Sequence, residues 1–424
     1  MKGGFDLVVV GAGPGGLAAA ATAAEAGLRV CLIDDNPAPG GQIWRHSAAD
    51  SHSKNTHAAR WLERIKKCDV DVRSGWRVVA ETADSKTLRI EADGRCCDLA
   101  YSSLILATGA RELFLPFPGW TLPGVYGAGG LQAFVKSGLE VSGKRIVVAG
   151  TGPLLLAVAA YLRSAGAYVI AIVEQASVTS LARFSMSLLA GHTSKLIEGA
   201  NYGWKTLGVP FRTGSWVSRA TGEEHLRSIT ITSSSRTQEI EADVLAVGFH
   251  LIPNTELPQL LHCELDGSFV HVDAFQETSV KGIYCVGEVT GIGGVEKAQI
   301  EGRIAALAIA GKTEDAKRLF AARDRQVHFA RRLDSTFSLR DELRALPDDS
   351  TMVCRCEDVT HQVLTGCHSW REAKLHTRCG MGPCQGRVCS PAAQFLYRWQ
   401  LPTPRPPLFP VSLATLSGQQ ERNI

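Results

Sequence analysis

Short apolar runs rich in β-branched residues recur along the chain, and the strongest of them run directly into glycine-rich turns. Residues 5–10 (FDLVVV) have the continuous hydrophobicity of a strand buried on both faces, and the small-residue stretch LAAAATAAEAG after the turn predicts a helix. Residues 29–33 (RVCLI) predict the next strand. The same order returns at residues 143–155 (GKRIVVAGTGPLL) and 167–174 (AYVIAIVE), and the run at 243–249 (DVLAVGF) closes it. The repeat predicts an α/β chain with two parallel-sheet domains, the second inserted into the first. Beyond them, an Arg-rich stretch around 315–345 predicts helix, and the Pro-rich run 401–410 (LPTPRPPLFP) cannot continue one.

The 424 residues allow about two to four domains. With 45% apolar and 21% charged residues the composition is that of a soluble globular protein. A formal charge of +3 provides no field for binding nucleic acid non-specifically. The N-terminus enters a strand without the pattern of a signal peptide, and no apolar run is long enough to span a membrane, so a cytoplasmic location is expected. Six of the twelve cysteines lie between Cys354 and Cys389. In a reducing compartment such a cluster points to metal or redox chemistry more than to disulfides.

The first turn reads Gly11-Ala12-Gly13-Pro14-Gly15-Gly16. In this spacing Gly11 permits the turn, Gly13 lets backbone approach a pyrophosphate, and Gly16 lets the helix pack on the strand. The helix N-terminus then offers free N–H groups and a partial positive charge to phosphates. Asp34, at the end of the second strand, is placed to accept hydrogen bonds from an adenosine ribose. Asp35 either shares that role or is solvated.

In the second fold Gly150 and Gly152 are present, but Leu155 stands at the third glycine position. Its side chain is expected to push the helix from the strand and disturb a phosphate cradle. Glu174 would favour NAD over NADP if either bound. The chain contains no C-x-x-C, so a dithiol relay has no candidate residues.

Near the C-terminus, MVCRCEDV is followed by TRCGMGPCQGRVC. Four thiolates hold a [2Fe–2S] cluster, and the chosen set is Cys354, Cys356, Cys384 and Cys389. Structural zinc is the rival, although C-x-C is tight for the common zinc knuckles. Cys367 and Cys379 read as bystanders, His250 as structural, and Trp44 and Trp120 as packing residues. The tail either clamps a partner or frays.

Three segments resemble motifs of flavoprotein reductases with two dinucleotide domains. Residues 34–42 (DDNPAPGGQ, with Gly41 and Gln42) resemble the loop over the flavin side of FAD, and 104–111 (LILATGAR, with Thr108 and Gly109) the segment leaving the FAD domain. Residues 282–288 (GIYCVGE, with Gly287 and Glu288) resemble the closing motif, where an acid contacts the ribityl-pyrophosphate part. That family usually has Asp where this chain has Glu288.

The ordered set GAGPGG, PAPGGQIWR, PFPGWTLPGVYGAGGLQ, GKRIVVAGTGPLLLAVA, VGEVTGIGG and CRCEDV…GMGPCQGRVC resembles the α subunit of heteromeric flavin-dependent amine and imino-acid dehydrogenases. That group includes D-hydroxyproline dehydrogenase, octopine and nopaline oxidases and hydrogen cyanide synthase. The resemblance implies a two-dinucleotide-binding-domain, Rossmann-like flavoprotein with a small helical C-terminal [2Fe–2S] domain of bacterioferritin-associated-ferredoxin type. The implied layout is an FAD-type domain over 1–110 and 246–315, an inserted NAD-like domain over 111–245, a helical linker with the cluster domain over 316–400, and the tail over 401–424. FAD and [2Fe–2S] are the implied cofactors, with FMN at a subunit interface and NAD or ATP as alternative nucleotides. The implied partners are a D-amino-acid-oxidase-like β subunit, a small ferredoxin-like γ subunit and an external electron acceptor. No catalytic residue is assigned to this chain, which carries electrons away from chemistry on the β subunit. A self-sufficient NAD(P)H-dependent reductase and a nucleotide-binding scaffold are the competing readings.

Overall fold

The computed structural model describes residues 4–44, 57–82, 86–189 and 191–417. Arg45, the last residue of the motif PAPGGQIWR, lies outside them. The chain forms two compact units, one of residues 1–111, 253–330 and 403–424, the other of 112–252 and 331–402.

In the first unit, β1 (Phe5–Val10), β2 (Val30–Asp34), β3 (Asp71–Ser74), β4 (Arg77–Glu81), β5 (Thr87–Ala92) and β6 (Arg95–Leu106) form a seven-stranded sheet with the strand Ile283–Cys285. β1 pairs in parallel with β2 on one side and with β6 on the other. The long β6 serves two neighbourhoods: its first half pairs antiparallel with β5, and its second half parallel with β1 and Ile283–Cys285. The helix α1 (Pro14–Glu25) packs against the helix Gly294–Ile309, and only glycine fits at the crossing. A Cβ on Gly302 would come within 2.2 Å of the Gly15 carbonyl.

From residue 403 on, the Pro-rich run and the residues after it belong to the first unit and are tied down there. The Leu408 amide donates to the Val79 carbonyl, Arg77 to the Pro410 carbonyl and Arg89 to the Thr415 carbonyl. Leu408 is buried among Val78, Leu88 and Leu261 in one core cluster.

The second unit has a five-stranded parallel sheet in the order Phe211–Arg212, Tyr168–Glu174, Arg145–Gly150, Val244–Gly248, Val125–Gly127. A three-stranded antiparallel sheet, Ser215–Gly222, Leu226–Ser233 and Thr237–Glu241, shares its core through Trp216, Val217 and Ile229. Residues 331–402 join this unit and bring the C-terminal cysteines with them. Among the described residues no helix is long and apolar enough to cross a membrane.

Candidate cofactor sites

The first glycine loop has the steric form its spacing predicts. Gly11 has φ +102°, and a Cβ on Gly16 would sit 1.8 Å from the Gly11 carbonyl oxygen, so side chains are excluded at both positions. Gly13 has open space apart from Gly41, whose own Cβ would fall 2.9 Å from the Gly13 Cα. The loop bearing Gly41 and Gln42 therefore lies directly over the phosphate turn. α1 begins at Pro14 with no side-chain cap, which leaves its N-terminal dipole for an anion.

Asp34 is buried and already engaged. Its Oδ2 accepts from the Ala12 amide at 2.5 Å, and its Oδ1 from the Asn36 amide and side chain at 2.8 and 2.7 Å. A carboxylate has about four acceptor positions, so three donors leave room for one more. Asp34 thus shapes the glycine loop from below as well as standing where a ribose would reach. Asp35 is exposed, and one of its oxygens accepts from Asn36.

Thr108 and Gly109 are fixed by a residue that sequence reasoning missed. Asn254 accepts from Thr108 Oγ1 at 2.7 Å through its carbonyl, donates from Nδ2 to the Thr108 carbonyl at 2.8 Å, and donates from its amide to the Gly109 carbonyl at 2.9 Å. Its only sequence context is the stretch GFHLIPN at 248–254, which continues the run at 243–249.

The closing motif is held by a second missed pair. Lys297 Nζ donates to the Gly287 carbonyl at 3.0 Å, Thr290 Oγ1 at 2.9 Å and Glu301 at 2.8 Å, while Glu301 accepts from the Gly287 amide at 2.8 Å. Glu288 next to it is only half satisfied: Oε1 accepts from the Gly294 amide at 2.8 Å, and Oε2 is buried with no hydrogen-bond partner. Burial pushes this carboxyl above the usual carboxylate range, against the pull of the Gly294 amide. An orphaned buried acceptor beside a bare glycine cradle fits a polyhydroxylated nucleotide cofactor that brings its own donors.

In the second unit the third-glycine position is occupied by a side chain turned into the core. Leu155 is buried against Ile146 and Val158, and the helix Leu154–Ser164 opens at Leu154, one position later than α1 opens at Pro14 in the aligned motif. A leucine there fills the space that Gly16 leaves for strand-to-helix contact.

The four chosen cysteines come together. Cys354, Cys356, Cys384 and Cys389 open onto one cavity of about 330 Å³, with Phe114, Trp120 and Arg355 among its other walls. Trp120 is fixed there by its Nε1 donating to the Met352 carbonyl at 2.6 Å, just before Cys354. Cys379 is also present: its sulfur lies within 4.8 Å of those of Cys354 and Cys389, and all three are buried. Thiol donors from Cys379 and Cys389 pull Cys354 down to about 2, and the same sharing raises Cys379 and Cys389. Three buried sulfurs this close together are groups that could hold a metal ion.

Cys356 receives the backbone N–H of Cys384. Gly382 permits this approach, since its Cβ would fall 2.3 Å from the Cys356 Cβ. Walls carrying four cysteine sulfurs, a donating backbone and a cradle that a methyl group would fill fit an iron–sulfur cluster on this chain. His361 faces elsewhere and bonds the Tyr397 hydroxyl through Nδ1 at 2.7 Å.

His250 is tied to Asp334 at 3.3 Å through Nε2, while its Nδ1 accepts from the Leu251 amide at 2.8 Å, so it orders two segments of the second unit.

Residues 5–308 match the family model described as pyridine nucleotide-disulphide oxidoreductase. An opine oxidase subunit of Rhizobium meliloti (strain 1021) is 34% identical over 98% of this chain and 99% of its own length. The HcnB subunit of hydrogen cyanide synthase from Pseudomonas protegens is 33% identical over 91% of this chain and 90% of its own. The fold is shared with L-proline dehydrogenase from P. horikoshii, with a TM-score of 0.67, 18% identity, and coverage of 97% of this chain and 79% of that one. With its two dinucleotide-type folds and flavin-side motifs, the chain belongs to the pyridine nucleotide-disulphide oxidoreductase family, as a flavin-dependent oxidoreductase related to the opine oxidase subunit and to HcnB.

Proposed function

We propose that this chain is the FAD- and [2Fe–2S]-carrying electron-transfer subunit of a heteromeric amine or imino-acid dehydrogenase of opine oxidase or D-hydroxyproline dehydrogenase type. The observation that carries this reading is the meeting of Cys354, Cys356, Cys384 and Cys389 around one cavity in a chain that also keeps a bare dinucleotide cradle. Substrate oxidation at the Cα–N bond is assigned to a D-amino-acid-oxidase-like partner bearing its own flavin. FMN at the subunit interface, a ferredoxin-like third subunit, an external acceptor and a cytoplasmic location belong to the same proposal.

Within this chain, the N-terminus of α1 and the Gly13 backbone would receive the pyrophosphate, and Asp34 the adenosine ribose. Glu288 Oε2 would accept from a hydroxyl of the bound nucleotide, and the Lys297–Glu301 pair keeps the turn at Gly287 in shape for it. Gly41 and Gln42 cover the turn, and Thr108 and Gly109 are kept in place by Asn254. Cys354, Cys356, Cys384 and Cys389 would ligate the cluster. When bound, a flavin takes up electrons in pairs and releases them singly, as an iron–sulfur centre requires.

The test is anaerobic purification of the chain with and without an amino-acid-oxidase-like partner, followed by assays for flavin, iron and acid-labile sulfide and by dye reduction with opines, D-hydroxyproline, glycine, sarcosine and proline. Flavin and iron on this chain, with turnover only in the complex, is the expected result. Full-rate amine oxidation by the isolated chain, or zinc without iron, overturns the proposal. Flavin bleaching by NADH would favour the self-sufficient reductase, and bound nucleotide without flavin the scaffold.

A further inference from the structure

In an open nucleotide fold, the glycine turn after the first strand and the acid after the second frame the adenosine end of the ligand. In the second unit those positions are Gly150-Thr151-Gly152 and Glu174; Gly150, Thr151 and Glu174 are buried and Gly152 is partly so. Glu174 is 2% exposed, and its carboxylate accepts from Thr151 Oγ1 at 2.9 Å and from the Gly152 and Ala176 amides at 2.8 Å each. As with Asp34, three of about four acceptor positions are already taken, so Glu174 by itself does not close the site.

Over this pair lies a segment of the same unit. Phe337 is 5% exposed and meets the Phe184 ring edge-on at 5.3 Å between centroids. Its carbonyl accepts from Thr151 Oγ1 at 3.4 Å, the Ser338 carbonyl accepts from Gln175 Nε2 at 3.4 Å, and the Arg340 amide donates to Gln175 Oε1 at 3.3 Å. The Arg340 guanidinium rests over the Trp216 ring at 5.0 Å. Upstream, Asp334 is anchored by His250. The three hydrogen bonds are long, so the buried Phe337 ring, with the tether at each end, dominates the contact.

We infer that residues 337–340 act as a resident plug in the adenosine end of the second nucleotide fold and so exclude nicotinamide dinucleotides from it. The plug is a specificity element: it forces electrons to reach this chain from a source other than NADH. Its effect is one of population. A ligand that requires a rarely open state binds more weakly by the fraction of time that state exists, and a tethered plug keeps that fraction small. The plug needs neither the cluster nor the partner subunit to act.

The test uses the flavin-loaded full chain, titrated with NADH and read by NADH fluorescence without turnover. The wild type should show no saturation up to about 1 mM, the upper end of ordinary substrate affinities. Phe337→Ala/Arg340→Ala should bind saturably and at least about tenfold more tightly. Saturable binding to the wild type overturns the inference, as does a folded variant that binds no better. If that variant does not fold, Gln175→Ala, which removes two of the plug's bonds and leaves its sequence intact, is held to the same two outcomes. Because the readout is an equilibrium with NADH, its failure is separate from a failure to find iron or a partner.

Discussion

The ammonium of Lys297 lies 2.8 Å from the carboxylate of Glu301, one helical turn away, and both side chains are almost wholly buried. Buried ion pairs add little net stability when complete and cost much when halved. Here the pair also carries the Gly287 turn, because Lys297 donates to its carbonyl and Glu301 accepts from its amide. Lys297→Met should therefore destabilise the chain by about 3–5 kcal/mol in denaturant titration, by leaving Glu301 uncompensated. Lys297→Met/Glu301→Leu should recover most of that loss but not flavin retention, since the Gly287 amide is left without its acceptor. Equal destabilisation by the single and double variants would contradict this role.

Gly382 permits the approach of its strand of backbone to Cys356. A methyl group there would meet the Cys356 Cβ at 2.3 Å, far inside contact distance. Gly382→Ala should leave the parallel sheets intact, as read by circular dichroism, and lower iron content by displacing Cys356 from the cavity. Disturbing the support of a metal ligand weakens metal binding by about 10–100-fold. Full iron occupancy in the variant would mean that Cys356 is not a ligand.

How much of this was legible follows from the range of the interactions involved. The glycine turns and their strands could be read because sterics between neighbours along the chain dictate them: Gly11 and Gly16 are required within a few residues of each other. The departure at Leu155 could be read in the same local way. Asn254, nearly 150 residues from Thr108, left no such mark, because its role exists only once the sheet is assembled. Lys297 and Glu301 had the spacing of an ordinary surface pair and gave no sign of burial. Cys379 read as a bystander because spacing orders ligands along the chain, whereas the fold of the segment puts its sulfur beside Cys354 and Cys389.

Burial holds the Glu288 carboxyl above its ordinary value of 4.5. The folded chain therefore binds that proton more tightly than the unfolded chain does, and the sign follows: the contribution is fully present below 4.5 and is lost as pH rises through the raised folded value. Glu288→Gln removes this loss. In flavin-stripped protein the melting temperature of Glu288→Gln relative to wild type should climb as pH rises above 4.5 and level off once pH has passed the raised folded value. The other buried carboxyls raised in the same direction, Glu112 and Glu174, are common to both proteins and cancel. A difference that does not change with pH would contradict the assignment. Flavin affinity should fall in the same variant, because an amide cannot supply the second carboxylate acceptor.

Cys379 and Cys384 distinguish two ligand sets. Cys379 is fully buried behind Cys354 and Cys389 and is absent from the cavity wall, whereas Cys384 lines the cavity and offers its amide to Cys356. If the cluster occupies the cavity, Cys379→Ser should keep iron and acid-labile sulfide close to wild type, with a hydroxyl on a shorter bond in place of the thiol that donates to Cys354. Cys384→Ser should lose both, together with the visible absorption of the centre. A small ion in the buried trio would invert the pattern: Cys379→Ser would lose metal, Cys384→Ser would retain it, and elemental analysis would show zinc, which suits a compact set of thiolates. Measuring iron, zinc and sulfide in the two variants side by side decides between them, because each set contains one of these cysteines and lacks the other.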